Sequence, residues 1–328
     1  MSDLLLAGDI GGTKANLVLV DGAGDPRQPV FAARLATGEF DSLEALLESF
    51  LQKAGTRARR ICIGVPAPVI DGHIAPVNLR WQAQEQEVAR QLRADQVRFL
   101  NDLVATALGI PELVGDEIVT LHPGAPRARG PKAVIAPGTG LGTGYLAHDG
   151  TRYLALSGEG GHADFAPRGE RQRRLHAFLA DQRGQTHVEA VCSGRGIANL
   201  WRFFGAEGLR DAPEVEATAV EAADPTPIVM RAARDPRTNP RSAATADEFV
   251  AILLQEAGNA AVRLMTSGGV YLAGGVPPKV LDWLKQPQAL ASFLSSPTMG
   301  RVLRETPVHV VVNEETAVLG AIATGRTL

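Results

Sequence analysis

One glycine-rich turn between two apolar runs constrains this chain most: Leu4-Leu5-Leu6-Ala7-Gly8-Asp9-Ile10, then Gly11-Gly12-Thr13, then Lys14 to Val20. Ala15, Leu17 and Leu19 alternate with Asn16, Val18 and Val20, so the second arm is a strand and the stretch predicts a β-hairpin. No helix follows the glycines. The spacing from Gly8 to Lys14 is therefore not a P-loop, and Gly8, Gly11 and Gly12 do not form a dinucleotide fingerprint. Two readings stay open. Bare backbone N–H groups and the Thr13 hydroxyl make an anion-binding nest, beside which Asp9 can hold a cation brought by phosphates. Alternatively, the glycines only allow positive φ in an ordinary hairpin.

The same construction returns at Lys132-Ala133-Val134-Ile135-Ala136, with the turn Pro137 to Gly144 leading into Tyr145-Leu146-Ala147. Each hairpin opens a stretch of alternating strands and helices, which predicts an α/β protein with an internal duplication. At 328 residues two domains are expected, residues 1–112 with about 308–328, and residues 113–307. In the first, Asp41-Ser42-Leu43-Glu44 reads as a capping box. Leu43, Leu46, Leu47, Phe50 and Leu51 then give the helix one apolar stripe. Thr245-Ala246-Asp247-Glu248 reads as a second box, opening a helix to about Thr266 with Phe249, Ile252, Leu253 and Leu264 inward. Residues 206–246 lack a clear period and predict short helices with mobile connections. The helix Glu314–Thr324 has no periodic partner nearby and is expected to return to the first domain.

Composition removes several function classes. Basic residues number 33 against 36 acidic, a net charge of −3, so no footprint for nucleic acid or membrane is present. Cys62 and Cys192 lie far apart, which excludes a disulfide framework or a Cys-rich zinc site within the chain and fits a reducing compartment. No basic residue precedes Lys14 and the first apolar run is too short for a signal peptide, so the cytoplasm is the expected location.

Two clusters carry candidate chemistry. Asn101 and Asp102 end the strand Val97–Leu100, where ligands bind in open α/β sheets. They suit a helix N-cap equally, and the two roles can coexist, since a carboxylate held there can accept the proton of an attacking hydroxyl. Glu159, His162 and Asp164 share the glycine-rich stretch Ser157 to Phe165. One His and one Glu make a weak zinc signal, whereas a carboxylate and an imidazole on one loop suit the hydroxyls of a polyol. Glu189, before Cys192-Ser193-Gly194, reads locally as a surface acid.

Five motifs, in order, resemble those of the bacterial ATP-dependent glucokinases, within the sugar-kinase, Hsp70 and actin superfamily: Gly8-Asp9-Ile10-Gly11-Gly12-Thr13, Leu100-Asn101-Asp102, Gly138-Thr139-Gly140-Leu141-Gly142, Gly158 to Pro167, and Leu272-Ala273-Gly274-Gly275. The resemblance covers nearly the whole length. It implies a two-domain actin-like ATPase (ribonuclease H-like) fold with an active-site cleft between the domains. It further implies ATP and Mg2+, glucose as acceptor, and a homodimer.

Residue by residue, the resemblance makes Asp102 the catalytic base. Asn101, Asp102, Glu159, His162 and Glu189 become the sugar ligands, with Asn78 and Trp81 in a further sugar-side loop. Asp9, Gly11, Gly12, Thr13, Gly138, Thr139, Gly140, Gly274 and Gly275 become the nucleotide side, with Asp9 reaching Mg2+ through water. Lys14 stands where the family often has Asn, and Val77 where Thr is common. The cysteine-rich zinc motif of the related repressor and open-reading-frame kinase branch is missing. A kinase for another hexose would share every motif, and a non-catalytic sugar sensor or actin-like ATPase would keep the hairpins.

Overall fold

The computed structural model describes residues 3–76, 79 and 81–328, and the expectation placed on Asn78 lies outside them. The chain divides into two compact units, Met1–Glu117 with Thr151–Ser157 and Asn313–Leu328, and Ile118–Gly150 with Gly158–Val312.

In the first unit, β1 (Leu4–Ile10) and β2 (Lys14–Asp21) form the antiparallel hairpin, Asp9 opposite Asn16 and Ile10 opposite Ala15. β3 (Phe31–Ala36) extends it beyond β2. α1 (Leu43–Ala54) then leads to β4 (Arg60–Val65), which lies parallel to β1. The α1 cap is Ser42, whose Oγ accepts the Ala45 N–H at 3.1 Å, one residue later than the box starting at Asp41 implied. Leu43, Leu46, Leu47 and Phe50 are fully buried and Leu51 nearly so, as the stripe predicts. At about 1.5–3 kcal/mol for each such side chain, this face rather than the cap holds α1 on the sheet.

A small antiparallel meander follows, unseen in the sequence because its strands have only two residues each: β5 (Val69–Ile70), β6 (His73–Ile74) and β7 (Ala83–Gln84). α2 (Glu85–Leu92) leads into β8 (Gln96–Asn101), parallel to β4, and then α3 (Asp102–Gly109). The sheet order is β3-β2-β1-β4-β8.

The second unit begins with β9 (Ile118–His122), followed by the hairpin β10 (Lys132–Pro137) and β11 (Leu141–His148). Its turn is shorter than the glycines suggest, since β11 already starts at Leu141. β12 (Tyr153–Gly158) precedes α4 (Gly169–Arg183) and α5 (Gly194–Ala206), on which Ile197, Leu200, Trp201 and Phe204 are buried. The stretch without a period forms α6 (Pro213–Glu221) and α7 (Thr226–Ala232). It is tied down by Asp211, which accepts from Trp201 Nε1 at 3.0 Å and from the Ser242 N–H at 2.9 Å.

The long helix α8 (Pro240–Leu264) corrects the second capping box: its cap position is Asn239 rather than Thr245, with Pro240 in its first turn. Thr245 and Glu248 lie inside it, the hydroxyl donating to the Arg241 carbonyl and the carboxylate accepting from Gln172. Leu264, expected inward, is 39% exposed at the helix end. β13 (Val270–Leu272), α9 (Leu281–Leu284), α10 (Pro287–Leu294), α11 (Gly300–Glu305) and β14 (Val308–Val311) complete this unit. Its sheet order is β12-β11-β10-β13-β14-β9, with β13 parallel to both β10 and β14. Five strands therefore repeat the order of the first sheet, and the duplication extends well beyond the hairpins. β14 belongs to this second sheet, whereas the sequence division placed residues from about 308 with the first domain.

After β14 the chain returns to the first unit, to which Thr151–Ser157 also belongs, and ends in α12 (Thr316–Gly325). Its Ala317, Val318, Ala321 and Ile322 form a core with Leu5, Ala7, Val20, Cys62, Leu100 and Ala105, on the sheet face that α1 leaves open.

Candidate active site

The first unit carries a turn and a strand end with candidate residues. The Gly11 N–H donates to the Lys14 carbonyl at 2.8 Å, which closes the first turn and leaves Gly12 and Thr13 exposed. Gly11 has an ordinary φ, as do Gly138 and Gly140 in the second turn. Positive φ is thus not why Gly11, Gly138 and Gly140 are there. What they supply is backbone without side-chain cover: a Cβ at Gly138 would meet nothing within 4 Å.

Asp9 sits at the end of β1, half-buried. Burial first, and then the nearby charge of Asp102, push its carboxyl up to about 6, with Lys14 pulling the other way. Asp9 and Asp102 are therefore close enough to feel one another. Asn101 and Asp102 divide the two roles left open by the sequence. Asn101 is the cap of α3, its Oδ1 accepting the N–H groups of Leu103 at 3.0 Å and Val104 at 3.4 Å, while its amide donates to the Ala67 carbonyl at 3.3 Å. Asp102 is the first residue of the helix, half-buried, with Oδ1 accepting the Leu103 N–H at 2.9 Å.

The second unit brings Gly138, Thr139, Gly140, Glu189, Gly274 and Gly275 together around one turn. The Gly138 N–H donates to the Gly140 carbonyl at 2.8 Å, and the Gly194 N–H donates to the Gly138 carbonyl at 2.8 Å, which fastens the turn to the start of α5. Ser193 caps that helix, Oγ accepting the Gly196 N–H at 3.0 Å and donating to the Glu189 carbonyl at 2.7 Å. The Glu189 side chain, read locally as a surface acid, is only 17% exposed. Its Oε2 accepts the Leu141 N–H at 2.9 Å, and a Cβ at Gly140 would stand 2.5 Å from that oxygen, so a larger residue there would displace the carboxylate. Gly274 takes φ +81° where the chain leaves β13 and passes the Pro137 carbonyl.

Glu159 precedes a single 3-10 turn, Gly160–His162, and His162 ends it, and both side chains are exposed. Thr143 pins this turn to β11, its Oγ1 donating to the Gly158 carbonyl at 3.1 Å and accepting the Gly160 N–H at 3.0 Å. The His162 ring meets that of His187 edge-on at 5.5 Å. Asp164 instead accepts from Gln185 Nε2 at 2.6 Å, the local role its turn position allows. Thr143, Ser193 and Arg195 were missed by sequence reasoning; only Ser193, a Ser before a helical period, carried a usable signal.

A recess of about 460 Å³ at the C-terminal ends of α1 and α2, lined by Glu48, Gln52, Arg57, Gln91 and Arg93, holds none of these residues. Among the described residues no group of three or more His, Cys, Asp or Glu is placed to hold a metal ion, and no helix is long and apolar enough to cross a membrane.

Comparison with known proteins converges on one family. A family model described as Glucokinase matches residues 6–327. The glucokinase of Trichormus variabilis is 33% identical over 334 residues, covering 97% of each chain. Among solved structures, the glucokinase of an Antarctic psychrotroph superposes with a TM-score of 0.87 at 25% identity over the full length of both chains. A ROK family glucokinase from Streptomyces griseus, crystallised with glucose and AMPPNP, shares the fold at a TM-score of 0.64 and 19% identity, covering 99% of this chain and 100% of that one.

Proposed function

Since the chain belongs to the glucokinase family, and is therefore an ATP-dependent kinase acting on glucose, we propose that Asp102 takes the proton of the 6-hydroxyl as that oxygen attacks the γ-phosphoryl group. The observation that carries this assignment is the placing of Asp102 at the end of β8, its neighbour Asn101 already committed to capping. Capping engages the Asn101 oxygen and the Ala67 carbonyl takes one N–H of its amide, so the second N–H is what remains to donate to a sugar hydroxyl. Glu159, His162 and Glu189 supply the other sugar contacts. The Gly11–Thr13 and Gly138–Gly140 turns hold the phosphates through backbone N–H groups and the two threonine hydroxyls. Gly274 and Gly275 lie on the nucleoside side.

Mg2+ fits at Asp9. A single carboxylate, half-buried and with its charged form disfavoured by burial and by Asp102, gains from an adjacent cation. The absence of a protein cage among the described residues suits an ion that keeps water and phosphate ligands. When bound, the ion neutralises charge on the phosphates. Everything else falls to the chain: Asp102 orients and deprotonates, the turns position, and the fixed dipoles receive charge without reorganising. The family reading also proposes a cytoplasmic homodimer, with a sedimentation mass twice the 34.6 kDa of one chain.

Measuring ADP release from ATP with and without glucose tests the assignment. Release that depends on glucose is expected. ATP turnover indifferent to glucose would place the chain among sensors or ATPases of the same fold.

A further inference from the structure

Arg195 stands second in α5, beside the phosphate turn of the second unit, and the proposed function assigns it nothing. Its Nε donates to the Thr139 carbonyl at 3.2 Å, and its Nη2 lies 3.5 Å from Glu189 Oε1. The two oxygens of Glu189 are thus divided: one takes the Leu141 N–H of the hairpin, and the other faces the guanidinium. The Arg195 side chain is 69% exposed, free to change partners, while Glu189 is held from below.

We propose that Arg195 couples the two substrates by exchanging Glu189 for the phosphates of ATP. The inference rests on Glu189 being a sugar ligand and on the Gly138–Gly140 turn being a phosphate site. Without nucleotide, the guanidinium competes with sugar hydroxyls for Glu189 Oε1. A triphosphate on the turn carries more negative charge than one carboxylate and accepts the planar N–H fork bidentately, so it draws Arg195 away. Glu189 Oε1 is then left to accept a sugar hydroxyl. By linkage the effect is mutual, and bound glucose favours the nucleotide by the same factor. All the groups involved lie in one unit, so this coupling needs no movement of one unit against the other. With the guanidinium mostly in solvent and 3.5 Å from the carboxylate, the factor is about fivefold.

Calorimetric titration of glucose, with and without the β,γ-imido analogue of ATP and Mg2+, tests this in the native chain, Arg195→Gln and Glu189→Gln. The native chain is expected to bind glucose about fivefold more tightly with the analogue than the Arg195→Gln variant's own gain accounts for. Arg195→Gln is expected to bind glucose alone more tightly than the native chain, because the competitor for Glu189 is gone. Equal gains from the analogue in both proteins would overturn the proposal. So would weaker binding of glucose alone to Arg195→Gln. Native glucose affinity in Glu189→Gln would instead remove the sugar role of Glu189, a separate failure read from a different variant.

Discussion

Asp102 and Asp9 are two carboxylates within electrostatic reach of each other, held to different ends. Replacing Asp102 with Asn keeps the shape and removes the base, so kcat is expected to fall by about 10² to 10⁴ while glucose still binds. Steady-state kinetics beside a binding titration checks this, and near-native turnover would remove Asp102 from the role.

Asp9 carries a pH signature. Its carboxyl is raised from 3.8 to about 6, so the folded chain keeps a proton that the unfolded chain gives up. The stability tied to that proton is present below about pH 4 and lost as the pH rises through about 6. The melting temperature of nucleotide-free Asp9→Asn, relative to native, is therefore expected to climb between those values and level off above them, while phosphoryl transfer drops. A difference constant across that window would contradict the burial argument. At this scale the sequence was legible where one residue's neighbours in the chain were also its partners in space. Asn101 and Asp102 qualify. Glu189 and Arg195 do not, because what defines them is a hairpin some fifty residues earlier, Leu141 for one and Thr139 for the other.

Among the elements, α3 matters most, since it starts at Asp102. It packs against α12 with backbone on backbone: a Cβ at Gly109 would strike the Thr316 carbonyl, and one at Gly320 the Ala105 carbonyl. Neither obstacle is a flexible side chain. Gly320→Ala is expected to cost about 3 kcal/mol in chemical denaturation, the upper end for overpacking, and to lower kcat as α3 is pushed aside. A variant as stable and active as native would show that the crossing has slack.

The sequence showed both helices but not their crossing, because a glycine in a helix reads only as a weak former. The same limit misled the reading of α8. Thr245 and Glu248 have the capping spacing, yet their side chains bond elsewhere and the true start is Asn239-Pro240. The reading from Thr245 missed the turn and a half of α8 that precedes it, which begins with Pro240 in a stretch that shows no apolar period.

Across the whole molecule, the repeated strand order was the part least open to sequence reasoning. Both hairpins were visible because glycine leaves a strong local mark; β9 and β12 left none, being half-exposed strands at the sheet margins. The function assigned to the molecule makes a demand on its substrate. Glu159, His162, Glu189 and Asn101 pair hydroxyls, so a deoxyglucose lacking a contacted hydroxyl is expected to lose about 10⁴ in kcat/KM. A panel of deoxy sugars with ATP measures this, and equal rates across the panel would contradict the assignment of those four side chains.

The position of α12 bears on how the molecule comes off the ribosome. The second unit has all its residues once Val312 has been made, but the face of the first sheet that carries Leu5, Ala7 and Cys62 stays uncovered until α12 emerges. Arg60 then fastens the end, bonding Asp3 at 2.5 Å and the carbonyls of Gly325 and Arg326 at 3.2 Å each. The part synthesised first is thus the part completed last, and a nascent chain stalled before residue 313 should present a protease with a finished second unit and an unsealed first one.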